Sequence, residues 1–283
     1  MAAQSPTTHY DHVLMPILKP SSGPPAWTRA DLADPHANLG KPEKVRAMFA
    51  AIARRYDLNN RVHSMWRDQA WRRFAVRQAD VRGPEEVLDV ACGTGDLSFA
   101  FVHAGAARVV GLDFTREMLD IGEVKRERLV ESEGARVSFV QGDAHALPFE
   151  EASFDVVSIA FGIRNVADPR RALAEFWRVL RPGGRLVILE FATPRLWPVR
   201  LFNDFYCRRI MPVTATLISG DRSGAYKYLP KSVETFMTPA ELCRALEEAG
   251  FGAVTMRSLS LGICMCYRAE VKGRTRPKER ARG

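Results

Sequence analysis

From residue 87 onward the apolar positions form short, nearly unbroken runs, separated by stretches in which they recur every three or four residues. The runs at 87–90, 108–112, 137–141, 154–160 and 185–190 are rich in Val, Ile, Leu and Phe, as expected of strands buried on both faces. Between them, 97–103, 116–132 and 170–180 carry helical periodicity. Leu173, Phe176, Trp177 and Leu180 lie on one stripe, and Arg181-Pro182-Gly183-Gly184 reads as a helix stop and turn. Alternating strand and helix units of this length predict an α/β fold, a mostly parallel sheet covered by helices on both faces. A helix over 239–250 follows, with Thr238 as N-cap, Pro239 at its first position and Leu242, Leu246 and Ala249 inward. Strands near 253–259 and 262–269 close the sheet.

Upstream the pattern changes. Residues 1–40 are rich in Pro, Ser, Ala and His without hydrophobic period, and read as a flexible extension. Val45, Met48, Phe49, Ile52 and Ala53 fall at helical spacing, a helix that Tyr56-Asp57-Leu58-Asn59-Asn60 is expected to break. A second helix carries Trp66, Trp71 and Phe74 among arginines, either as a cap on the domain or as a lid over an apolar substrate. Residues 195–235 are irregular and dense in aromatics and arginines, the composition of a substrate-side insertion.

In an open α/β sheet, ligands bind beyond the carboxyl ends of the strands. The first strand ends in Asp89 and the turn Cys92-Gly93-Thr94-Gly95, where chain without side chains lets a ligand approach closely. The second ends in Asp113, placed to accept hydrogen bonds from ribose hydroxyls. The third ends in Gly142-Asp143-Ala144, where a short acid meets an adenine amino group. The fourth ends in Ala160-Phe161-Gly162-Ile163-Arg164-Asn165. A dinucleotide fingerprint would have glycine where Ser98 stands. The acids Asp89 and Asp96 beside the turn would repel a pyrophosphate. They suit a ligand carrying positive charge, such as S-adenosylmethionine, and so methyl transfer rather than hydride transfer.

Composition narrows the class further. The apolar fraction of 46% supplies a sizeable core. No apolar run is long enough to span a bilayer, and the N-terminus lacks the pattern of a secretory signal. Five scattered cysteines form neither a disulfide framework nor a CxxC pair, which suits a cytoplasmic protein, and no residue cluster has metal-ligand spacing. Much of the net charge of +8 sits in the tail Lys272-Gly-Arg-Thr-Arg-Pro-Lys-Glu-Arg-Ala-Arg282, read as a solvated end. Attraction to an anionic membrane surface is the next reading and nucleic acid the last.

Leu88-Asp89-Val90-Ala91-Cys92-Gly93-Thr94-Gly95-Asp96-Leu97 resembles the first motif of class I S-adenosylmethionine-dependent methyltransferases. Other segments resemble the ubiquinone/menaquinone C-methyltransferase (UbiE/Coq5-like) family more narrowly. They are Phe49-Ala-Ala-Ile-Ala-Arg-Arg-Tyr-Asp-Leu-Asn-Asn60, Gly142-Asp-Ala-His-Ala-Leu-Pro-Phe149 and Ala160-Phe-Gly-Ile-Arg-Asn-Val166. Arg178-Val-Leu-Arg-Pro-Gly-Gly-Arg-Leu186, Ala225-Tyr-Lys-Tyr-Leu229 and Leu261-Gly-Ile263 add to them. The likeness spans residues 44–269. It implies a Rossmann-like, seven-stranded class I methyltransferase domain over 41–269, with a helical lid at 41–80, while the 40-residue head and the basic tail at 270–283 lie outside the family pattern.

The resemblance places the cofactor on Thr94, Asp113 and the pair Asp143 and Ala144. Asp89, Gly93, Gly95, Phe114, Met118 and Ala160 complete the expected pocket. Family members often have serine at the position of Ala160 and glutamate at that of His145. The implied reaction methylates a ring carbon of a polyprenylated quinol, either demethylmenaquinol or a 2-methoxy-6-polyprenyl-1,4-benzoquinol. Such a carbon becomes nucleophilic when a ring hydroxyl ionises, which a phenol of pKa about 10 does near neutrality only with help. Arg164 is expected to stabilise the phenolate or orient a water that takes its proton. Asn165 would orient the ring oxygen, Tyr56 and Asp57 would close the site, and His63 and His145 are candidate bases. A substrate with so apolar a tail implies work at the inner face of the cytoplasmic membrane. A homodimer is among the arrangements the sequence allows. Another lipid or phenolic acceptor, RNA methylation and a non-catalytic cofactor-binding scaffold are the alternatives.

Overall fold

The computed structural model describes residues 27, 28, 30–219 and 224–272. Two helices, α1 (Lys41–Ser64) and α2 (Arg67–Ala79), precede the sheet. The apolar runs become β1 (Glu86–Val90), β2 (Arg108–Asp113), β3 (Val137–Gln141), β4 (Phe154–Ala160) and β5 (Leu180–Phe191), all parallel. The last strands, β6 (Phe251–Leu259) and β7 (Cys264–Val271), make a hairpin in which β7 lies antiparallel to both β5 and β6. The order is β3-β2-β1-β4-β5-β7-β6, so the winding reverses between β1 and β4 and opens a crevice at their carboxyl ends.

Helices α3 (Asp96–His103), α4 (Arg116–Arg126), the short α5 (Glu131–Gly134) and α6 (Pro169–Val179) connect the strands. Helices α7 (Trp197–Phe205) and α8 (Met211–Ser219), joined by a π turn at Tyr206–Ile210, form the insertion with α9 (Ala225–Glu234). Helix α10 (Pro239–Glu248) starts with the expected Thr238 cap, which Glu241 completes as a capping box. Alternate strand residues feed two cores. Leu88, Val110, Val157 and Ile188 pack towards Leu173, Phe176 and Leu246 of α6 and α10. Val87, Val109, Val156 and Val187 pack towards Trp71, Phe101 and Val102 of α2 and α3. A third core, built from Met48, Ile52, Met118, Met211, Ala215 and Tyr228, holds α1 to α4 and the insertion.

Several expectations need correction. Helix α1 runs through Tyr56–Asn60 without a break. The helix penalties of Asp and Asn are only some tenths of a kcal/mol each, and burial of Val45, Met48, Ile52 and Ala53 along the helix overrides them. Pro182-Gly183-Gly184 lies inside β5 rather than ahead of it, at a register irregularity opposite Phe154 and Val156. Gly183 takes φ +77 there, and a Cβ on Gly184 would come within 2.8 Å of the Arg181 carbonyl. Within the expected extension, Trp27 is buried and stacks on Tyr228 at 4.3 Å, and His36 meets the Ser232 carbonyl at 2.9 Å. Residues 1–26 and the tail at 273–283 lie outside the described residues. β7 itself reaches Val271, beyond the boundary drawn at 269.

Candidate active site

The crevice at the sheet reversal holds a narrow slot. Gly93, Asp113, Phe114, Met118, Asp143, Ala144 and Ala160 line it, seven of the ten residues expected to hold a cofactor. Gly93 donates its N–H to Asp113 Oδ2 at 2.8 Å, while Thr115 N–H takes Oδ1 at 2.8 Å. Burial pushes the Asp113 carboxyl up, against those backbone donors. The Thr115 hydroxyl and the Phe114 N–H also act on the carboxylate, and a ribose hydroxyl would share its acceptor capacity with them.

The other three predicted residues stand behind the slot. Gly95, at φ +84, turns the chain into α3, and a Cβ there would meet the Phe139 ring at 2.6 Å. Asp89 is buried beneath the turn and accepts from Ser98 Oγ at 2.7 Å and Ser158 Oγ at 2.8 Å. Ser98 therefore replaces the third glycine because its hydroxyl satisfies a buried acid. Desolvation raises Asp89 to about 6, over the opposing effect of both hydroxyls.

Thr94 belongs to a latch rather than to the slot lining. Its Oγ1 donates to Asp57 Oδ1 at 2.7 Å and accepts from Lys125 Nζ at 2.9 Å. Lys125 also pairs with Asp57 at 2.6 Å and Asp96 at 2.8 Å, and Arg61 reaches Asp96 at 3.1 Å. Burial alone would raise the Asp96 carboxyl, but Lys125, Arg72 and Arg61 outweigh it and hold it below its ordinary value. The turn thus does have a cation beside it, neutralised by two acids. Asp57, expected to close the site together with Tyr56, lines neither cavity and clamps α1 across the glycine turn.

Beside the slot lies a cavity of about 830 Å³ enclosed by α1, α2, the end of β5 and the insertion. That volume suits a ring with part of an apolar chain. Phe49, Tyr56 and Phe161 line both spaces and form the partition between them. Phe161 sits at φ +59, unusual for a bulky residue, and its carbonyl accepts from Arg164 Nη1 at 2.7 Å and Asn165 Nδ2 at 3.2 Å. Those two donors over-determine the strained turn.

Arg164 lines the large cavity, as expected, while almost wholly buried. Nη1 pairs with Glu190 at 2.6 Å, Nε donates to Ser232 at 3.3 Å, and Nη2 donates to no described residue. Asn165 faces the slot instead, and its Oδ1 accepts from the Tyr228 hydroxyl at 2.9 Å. Burial raises Tyr56, in spite of Arg72, so its hydroxyl stays protonated near neutrality. Both His145 nitrogens are taken. Nε2 accepts from the Asp168 N–H at 2.8 Å and Nδ1 meets Asp143 at 2.9 Å, so both nitrogens are engaged in holding the loop. His63 lines the cavity, its Nδ1 2.8 Å from the Tyr206 hydroxyl and Nε2 buried without a partner among the described residues. Burial lowers its pKa, which keeps the ring neutral.

Sequence reading missed several members of this wall. Glu190, the partner of Arg164, ends an apolar strand where an acid has no local reason to be. Asp68 and Arg72 form a second buried pair at 2.8 Å, with Arg72 over the Phe161 ring at 5.6 Å. Their i, i+4 spacing was the available signal. The buried Lys41 donates to the carbonyls of Arg164 and Val166 at 2.8 and 2.7 Å, and desolvation lowers it to about 8.

The family model described as the ubiE/COQ5 methyltransferase family matches residues 38–272. A demethylmenaquinone methyltransferase of Thermus thermophilus is 46% identical over 221 residues, 78% of this chain and 98% of the relative. A ubiquinone/menaquinone biosynthesis C-methyltransferase of Geotalea daltonii is 40% identical, over 81% of this chain and 97% of the relative. Among solved structures, a methyltransferase complexed with its activator from Haloferax volcanii superposes with TM-score 0.58 at 18% identity, covering 81% of this chain and 98% of its own. A SAM-dependent methyltransferase of Thermotoga maritima gives 0.56 at 19% identity, over 80% and 99%. These two share the fold.

Proposed function

The chain belongs to the ubiE/COQ5 methyltransferase family and is an S-adenosylmethionine-dependent methyltransferase, and on that premise we propose that it methylates a ring carbon of a polyprenylated quinol. The acceptor is demethylmenaquinol, a 2-methoxy-6-polyprenyl-1,4-benzoquinol or both, in menaquinone or ubiquinone biosynthesis. The observation that carries this reading is the aromatic partition. A slot built for a nucleoside and a cavity built for an apolar ring meet at Phe49, Tyr56 and Phe161.

The slot fits S-adenosylmethionine. Asp113 offers acceptors for the ribose, Asp143 an acceptor beside Ala144 for the adenine, and Gly93 a wall without a side chain. When bound, the cofactor supplies an electrophilic methyl group. The chain then has to make a ring carbon nucleophilic, hold it against the partition and accept a proton. Arg164 directs its unengaged Nη2 at the ring oxygen, stabilising the phenolate or orienting the water that takes its proton. Glu190 balances the guanidinium, which lets a cation persist in an apolar wall. Tyr56 stays neutral and excludes water from the partition. Asn165 acts by position, bracing the Phe161 carbonyl and the Tyr228 hydroxyl. Asp57 closes α1 over the turn. No covalent enzyme intermediate is needed, and orientation does most of the work.

Quinone profiling of a strain lacking the gene tests the reading. The demethylated quinone accumulates and the wild-type gene restores the methylated one. An unchanged quinone profile, with methylation lost from another lipid or phenol, would replace the acceptor and leave the cofactor site standing.

A further inference from the structure

None of the residues of helix α7 is buried, which among the other described α-helices holds only for the single-turn α5. Trp197, Leu201 and Phe205 follow one another at four-residue spacing and so share one face. They are 75%, 65% and 57% exposed, and beyond the π turn α8 continues the face with Val213 and Leu217 while its other side packs on α1 through Met211 and Ala215. A soluble surface does not leave so continuous an apolar stripe open without a partner. Arginines border it. Arg195 and Arg209 make no ion pair among the described residues, and Arg200 has only a distant one with Asp204 at 3.9 Å. No helix of the described residues is long and apolar enough to cross a membrane.

We propose that the exposed face of α7 and α8 is an interfacial anchor, lying in the headgroup layer of an anionic bilayer with its apolar side chains inserted. An apolar stripe bordered by arginines has the charge and shape that such a surface attracts. A second copy of the chain would instead bring the same arginines face to face across a two-fold axis. The stripe also adjoins the large cavity, since Arg200, Phe202 and Tyr206 of the same helical stretch line it. A polyprenyl tail can therefore pass from bilayer to cavity along α7 without crossing water. The tail's part in this rests on the quinol reading, whereas the anchor rests on the helix.

Flotation of the full-length chain with vesicles of phosphatidylcholine alone, or mixed with phosphatidylglycerol, tests it. The wild type floats with the anionic vesicles. A variant carrying Trp197→Ser, Leu201→Ser and Phe205→Ser loses roughly tenfold or more of that partitioning. Its melting temperature, S-adenosylhomocysteine affinity and turnover of a water-soluble short-chain quinol stay unchanged. Equal flotation of variant and wild type overturns the proposal, as does a wild type that ignores vesicles. A wild-type dimer that the substitutions dissolve, with no vesicle binding, gives the face to a second copy. If short-chain turnover is absent while flotation behaves as described, the quinol reading fails and the anchor stands.

Discussion

Asp89 shows how one side chain links the turn's sequence to its energetics. Burial raises its folded pKa to about 6, above the unfolded value, so the protonated acid stabilises the fold at low pH. That contribution is complete below about pH 4 and is lost as pH rises through about 6. Asp89→Asn cannot ionise and can still hydrogen-bond both serines. It should gain stability relative to wild type between about pH 4 and 7.5, by roughly 2–3 kcal/mol, since each tenfold difference in proton affinity between the folded and unfolded chain is worth about 1.4 kcal/mol. Parallel melting curves across that range would contradict the account. Arg164 calls for a subtler substitution. Arg164→Ala strands Glu190 and costs roughly 3–5 kcal/mol as well as turnover. Arg164→Lys keeps the charge but cannot reach Phe161, Ser232 and a ring oxygen together. Turnover should drop roughly tenfold or more, with S-adenosylhomocysteine affinity and melting temperature nearly retained. Undiminished turnover in Arg164→Lys would remove the residue from the chemistry.

Helix α1 is held by polar contacts at one end and by packing along its length. Asp57, Thr94, Lys125, Asp96 and Arg61 tie it to the glycine turn and α4. Asp57→Ala should weaken S-adenosylhomocysteine binding roughly threefold to tenfold and speed amide exchange in α1, with kcat at saturating cofactor close to wild type. A large fall in kcat at unchanged affinity would return Asp57 to catalysis. This latch was not legible in the sequence, and the reason is physical. Periodicity reports what one element needs locally, and it placed the strands of the sheet, α3, α6, α10 and the acids at three strand ends. It says nothing of partners far along the chain. Lys125 lies 31 residues from Thr94, Arg164 26 from Glu190, and Lys41 123 from the carbonyl it holds. The same limit explains the continuous α1, where packing overrides weak propensities, and Gly184 inside β5, where the close approach of a backbone carbonyl decides. Asp113, Asp143 and Ala160 were legible because topology alone puts them at one edge. Asp57 was legible as a residue that closes the site, but its partners Thr94 and Lys125 were not.

The molecule as a whole is two cavities on one sheet edge, separated by Phe49, Tyr56 and Phe161 and closed by α1 and the insertion. The sheet edge supplies the slot proposed to hold the cofactor. The N-terminal helices and the insertion enclose the large cavity, and on the proposed function acceptor identity resides in them. Replacing Phe161 with Ala should open the partition and raise cofactor hydrolysis relative to ring methylation, at a stability cost of roughly 3–5 kcal/mol because the ring packs on Trp71 and Phe191. Product ratios and melting curves would measure the two effects. The central claim is tested most directly by incubating the purified chain with methyl-labelled S-adenosylmethionine and reduced demethylmenaquinol or benzoquinol, and locating the label by mass spectrometry. The account predicts one labelled methyl on a ring carbon of at least one quinol. Label on oxygen, on RNA or on another lipid, with both quinols untouched, would contradict it.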